Sequence, residues 1–115
     1  MQSPPGMNWQ QVNKFVEAWA AERALPANLK GHTLTLVEFE SDTDCAYFYP
    51  HRTLLAQKAF TSALAKFARG RQARTEHVTI NPEHYRHWLL AEGAEDSVEN
   101  RERFIESRYQ VLPVG

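Results

Sequence analysis

Residues 32–40 read HTLTLVEFE, residues 41–44 read SDTD and residues 45–49 read CAYFY. The architecture turns on how these three runs fold. The first is rich in Thr, Val, Leu and Phe, side chains that suit a pleated, half-buried surface, and it predicts a strand. Thr33, Thr35, Val37 and Phe39 fall on one face; Leu34, Leu36, Glu38 and Glu40 fall on the other. The second face starts apolar and ends acidic, so its far end is expected to leave the core. Short Asp and Ser side chains bond nearby backbone amides, so residues 41–44 predict a turn. Residues 45–49 predict a second strand, and the two strands an antiparallel hairpin.

Helices flank this region. Trp9, Val12, Phe15, Val16 and Trp19 recur at helical spacing and predict a helix over residues 9–25, capped by Asn8 and stopped by Pro26. Beyond Pro50, residues 54–69 predict a second helix with Thr53 as its cap and Ala56, Phe60, Ala63, Leu64 and Phe67 inward. Gly70 is the candidate for the left-handed position that ends it. Residues 74–80 predict a third strand. Asn81, Pro82 and Glu83 then form a helix start: cap, proline at the first position, acid in the first turn. That helix should end near Glu92, and a fourth should run from Asp96 or Ser97 to about Gln110, with Pro113 ending regular structure. The expected order is α-β-β-α-β-α-α. This is an α+β class with a small three-stranded sheet, a hairpin plus one strand after a helical crossover, packed with four helices.

At 115 residues the chain has the size of one domain. Residues 8–112 are expected to form that domain, and residues 1–7 a loose arm. Hydrophobic residues make up 43% and aromatic residues 11%, enough for a core without disulfides. Cys45 is the single cysteine, which excludes an intrachain disulfide and suits a reducing compartment, hence a cytoplasmic location. No run approaches the ~20 apolar residues of a membrane span, so no membrane partner is expected.

Net charge is -1, yet it is unevenly spread. Residues 1–50 carry three Lys/Arg against six Asp/Glu; residues 51–90 carry seven against two; residues 91–115 carry three against six. Arg52, Lys66, Arg69, Arg71 and Arg74 fall in the basic middle, the last four around Gly70. Guanidinium groups on a turn suit phosphate oxygens, so these five are the candidate nucleic-acid-binding residues. The plainer reading is a helix end whose cations complement its dipole, with a solvated loop beyond.

Other constellations are weaker. His84 and His87 lie one helical turn apart, and His77 lies on the strand before them. Three imidazoles can hold zinc, but neither the HExxH spacing nor a cysteine accompanies them. Glu38, Glu40, Asp42 and Asp44 alternate in a way that could hold a hard cation, though without a calcium-loop pattern a solvated turn is the simpler expectation. Asn100, Arg101, Arg103 and Arg108 on the last helix suggest a base-reading helix. Glu99, Glu102 and Glu106 share that helix and favour a packed helical hairpin with a Glu99–Arg103 surface pair. No nucleotide-binding loop, nucleophile elbow or acid-x-lysine nuclease pair is present.

The residues therefore point to a small intracellular binding module rather than a catalyst, with no cofactor and with nucleic-acid backbone as the leading partner. A protein-interaction or self-associating module is the alternative, with Trp9, Tyr47, Tyr49, Trp88 or Tyr109 as anchors and a homo-oligomer as one form. A small metal-dependent enzyme using the histidines is the third reading.

Overall fold

The computed structural model describes residues 8–113; the expected arm at residues 1–7 lies outside them. Along the described chain run α1 (Trp9–Glu22), β1 (His32–Glu38), α2 (Asp42–Phe48), α3 (Leu54–Gly70), β2 (Arg74–Thr79), α4 (Pro82–Glu92), α5 (Val98–Arg108) and β3 (Val111–Pro113). The class is α+β, with a mixed three-stranded sheet in the order β2-β1-β3.

Local chemistry explains four of the helices. Asn8, Thr53, Asn81 and Ser97 each accept a hydrogen bond from the amide three residues on, at 2.8, 3.0, 3.0 and 3.0 Å. Each satisfies an amide that the first helical turn leaves unpaired. Gly93 ends α4 in the left-handed conformation. α1 stops at Glu22, short of residue 25, because Ala24 already turns left-handed at φ 51° before Pro26. The end of α3 also differs from expectation. Gly70 stays helical, and Gln72 takes the left-handed position at φ 68°. The Ala73 amide then donates to the Ala68 carbonyl at 2.9 Å and the Gln72 amide to that of Arg69 at 3.0 Å, which together close the helix end.

The expected strand over residues 45–49 is a helix, and the hairpin does not form. Ser41 accepts from the Asp44 amide at 3.1 Å and caps α2. Asp42 and Asp44 sit in its first turn, where carboxylates meet the positive end of the helix dipole. Cys45 and Phe48, three apart, both turn inward, while Ala46 between them is exposed. A cap and two acids outweigh the strand propensity of this aromatic run.

The third strand comes instead from the C-terminus. β3 pairs antiparallel with β1, Leu34 opposite Val111 and His32 opposite Pro113. Pro113, expected to end regular structure, is tolerated because β3 is an edge. On the other side β1 pairs in parallel with β2, Leu34 opposite Thr75, Leu36 opposite His77 and Glu38 opposite Thr79. Successive strand residues alternate faces, so Leu34, Leu36, Glu38, Thr75, His77 and Thr79 share one face. α3 lies across that face, and α1 packs on α3. Val12, Val16 and Trp19 of α1 are buried, whereas Phe15, expected inward with them, is 52% exposed.

α2, α4 and α5 meet through an aromatic cluster of Phe48, Tyr85, Trp88 and Phe104. No helix among the described residues is long and apolar enough to cross a membrane.

Candidate functional site

α3 is 17 residues long, so it spans ~25 Å at 1.5 Å per residue. That length separates the five candidate cations. Lys66, Arg69, Arg71 and Arg74 gather where α3 turns into β2, and Arg52 sits just before the opposite end of the helix. Lys66, Arg69 and Arg74 are exposed, and Arg71 is half-buried. Among the described residues the ion pairs are Arg23–Glu106, His77–Glu38 and Arg101–Asp96, and none involves a cation of this corner. Arg71 lies over the Phe67 ring at 4.2 Å and donates to the Pro26 carbonyl at 3.4 Å, which orients it without neutralising it.

Arg52 has a structural role. Its guanidinium lies 4.1 Å above the Tyr49 ring and donates to Gln57 Oε1 at 2.7 Å. Burial pushes the Tyr49 hydroxyl up to about 12, with the nearby Arg52 charge opposing. Cys45 lies beneath, its Sγ 3.6 Å from the Arg52 carbonyl oxygen, and burial raises its thiol above the ordinary range. A buried neutral thiol is a weak nucleophile, so Cys45 serves as packing.

The three histidines do not converge. His84 and His87 are exposed on α4, while His77 on β2 meets Glu38 instead, Nδ1 to Oε1 at 2.8 Å. Among the described residues no three His, Cys, Asp or Glu side chains are grouped to hold a metal ion. The expected acidic hairpin tip is dispersed by α2: Asp42 accepts from the Leu54 amide at 3.3 Å, and Asp44 joins the first turn of α2.

α4 and α5 form a helical hairpin whose Asn100, Arg101 and Arg103 side chains bond within the chain. Asn100 donates to the Glu95 carbonyl at 2.7 Å and Arg103 to Asn100 Oδ1 at 3.0 Å, in place of the expected Glu99–Arg103 pair. Arg108 lies over Phe104 at 5.0 Å. Arg101 grips Asp96 through two bonds of 2.8 and 2.7 Å and donates a third to the Tyr47 carbonyl at 3.1 Å. The aromatic anchors of the interaction reading are similarly engaged. Tyr109 is buried, and Tyr47, Tyr49 and Trp88 are half-buried under Arg101, Arg52 and Arg103.

Hydrogen bonds from Arg101 and then Tyr85 hold the Asp96 carboxyl down to about 2. A carboxylate depressed in the folded state stabilises fully above its unfolded value, ~3.9, and that contribution drains as pH falls through the folded value. Urea unfolding is therefore expected to show stability falling between pH ~4 and ~2, with Asp96→Asn flattening that limb. The carboxylate is about half exposed and screened by solvent, so the lost amount is on the order of 1 kcal/mol.

A cleft lies between α3 and the shared β1–β2 face, with a volume of ≈ 640 Å³. Its helical wall includes Lys58, Thr61, Ser62, Ala65 and Arg69; its sheet wall carries Glu38, His77 and Thr79. Of these, Arg69, His77 and Glu38 are legible as candidate site residues in the sequence, Glu38 only as part of an acidic turn. Lys58 and Ser62 look like ordinary surface positions of a helix, and pairing Glu38 with His77 requires the parallel register of two strands 39 residues apart. No protein-family model matches this chain, and no curated protein matches it.

Proposed function

We propose that this chain is a non-catalytic binding module that docks an anionic partner, nucleic-acid backbone above all, on the corner where α3 turns into β2. Lys66, Arg69, Arg71 and Arg74 make the contacts, and Arg52 takes no part. The observation that supports this reading is the absence, among the described residues, of any carboxylate paired with these four cations. A cation already clasped by a carboxylate of its own chain would have little to give a phosphate; these four keep their charge for one, and Arg71 uses a single donor on the Pro26 carbonyl. Backbone docking needs no base readout, so the engaged Asn100 and Arg101 are no obstacle to it. The same reading places the protein in the cytoplasm, where its single thiol stays reduced.

Titration of labelled single-stranded DNA or RNA tests the proposal. Micromolar binding is expected. With three to four phosphates neutralised, the slope of log K against log salt is about -2 to -3. Combining Lys66→Ala, Arg69→Ala and Arg74→Ala should weaken binding for every sequence alike and flatten that slope. Salt-independent binding, or none, overturns the proposal. Arg52→Ala should leave the slope unchanged.

A further inference from the structure

The cleft beneath α3 is separate from the corner formed by Lys66, Arg71 and Arg74. Its volume, ≈ 640 Å³, falls among pockets that enclose a small organic molecule, roughly 300–1,000 Å³. It extends to the carboxyl ends of the parallel strands β1 and β2, where Glu38 and Thr79 lie. Thr61, Ser62 and Ala65 occupy the middle of the helical wall, so no bulky side chain fills the space.

The polar groups are ordered along it. His77 Nδ1 lies 2.8 Å from Glu38 Oε1. A carboxylate only accepts, so Nδ1 carries a proton, and in the neutral ring Nε2 is then the acceptor. That leaves a fixed hydrogen-bond acceptor on a ring lining the cleft. Lys58 and Arg69 stand on the helical wall, 11 residues and hence ~16 Å apart, and neither is in an ion pair among the described residues. Glu40 and Lys58 stand toward the Leu54 end, where their charges offset, and Arg69 is the cation at the other end.

We propose that this cleft binds a small hydroxyl-bearing organic anion. Its anionic group rests on the Arg69 guanidinium, and one hydroxyl donates to Nε2 of His77. A sugar phosphate and a sugar acid share this chemistry.

NMR titration of the full chain with glucose 6-phosphate, gluconate and glucose tests it. At least one anion should shift the amide signals of Ser62, Arg69 and His77 saturably, with a dissociation constant below about 1 mM, and bind about tenfold tighter than glucose. The tighter anion identifies the charged group. Arg69→Gln should weaken the anion about tenfold without touching glucose, and His77→Phe should weaken both. Ser62→Trp, a change on an exposed helical position, should plug the cleft and abolish binding. Long-range proton–nitrogen spectra should find the His77 proton on Nδ1. The proposal is overturned if neither anion binds saturably, if binding survives Ser62→Trp, or if the proton sits on Nε2. Arg69 is common to both sites, but Lys66, Arg71 and Arg74 lie outside the cleft lining, so Lys66→Ala and Arg74→Ala should weaken nucleic-acid docking and leave binding in the cleft unchanged.

Discussion

Replacing Phe104 with alanine is expected to remove about 3–5 kcal/mol of folding stability, the cost of deleting a fully buried aromatic ring. Phe104 is 1% exposed. Its ring stacks on Phe48 at 5.9 Å and meets Tyr85 at 5.5 Å and Trp88 at 5.6 Å. These neighbours come from α2 and α4, so one ring joins three helices. The void cannot readily collapse. Tyr85 is pinned through its hydroxyl to Asp96 at 2.8 Å, and Phe48 is held between Phe39 at 5.7 Å and Tyr47 at 5.0 Å. Against a total of about 5–15 kcal/mol for a domain, the loss is large. Urea unfolding should show the midpoint falling with the slope unchanged. Phe104→Leu, which keeps most of the apolar volume, should cost much less. A loss below about 1 kcal/mol for the alanine variant would mean that the cluster repacks freely.

What the sequence made legible was local. Asn8, Thr53, Asn81 and Ser97 are cap residues placed ahead of apolar repeats, and each starts the helix it predicts. The four cations at the end of α3 are close in space because they are close in sequence. Features that depend on distant partners were hidden. Residues 45–49 carry strand-like side chains, and Ser41 reads as well for a turn as for a cap. The inward turn of Cys45 and Phe48 decides between them, and it depends on a core built from other elements. β3 is three residues of strand with no periodicity of its own, and it exists because β1 offers an unpaired edge. Gly70 is the natural choice for a left-handed residue, yet it is the last residue of the helix and the left-handed position falls two residues further on, at Gln72. Arg52 looked like a member of the basic cluster because the intervening helix length does not show in a charge count.

Gln57→Leu is expected to cost about 2–4 kcal/mol although leucine nearly conserves the volume, because polar partners are left buried without bonds at about 1–3 kcal/mol each. Gln57 is 1% exposed and sits where the sheet is incomplete. β3 covers β1 from His32 to Leu34, and the Gln110 carbonyl extends the cover by accepting from the Thr35 amide at 2.8 Å. Beyond that point Val37 turns its carbonyl toward a strand that is no longer there. Gln57 Nε2 at 3.2 Å and Thr61 Oγ1 at 3.2 Å replace the missing partner. The same Nε2 donates to the Tyr109 hydroxyl at 3.1 Å, and Oε1 accepts from Arg52 at 2.7 Å. Leucine would leave the Val37 carbonyl to Thr61 but strip Arg52 of its acceptor and Tyr109 of a donor. Thr61→Val removes only one of two donors to Val37 and should cost about 1 kcal/mol. Urea unfolding of both variants separates the cases. If the two substitutions cost the same, Gln57 serves only to fill space, and the arrangement of Arg52 over Tyr49 must be held by stacking alone.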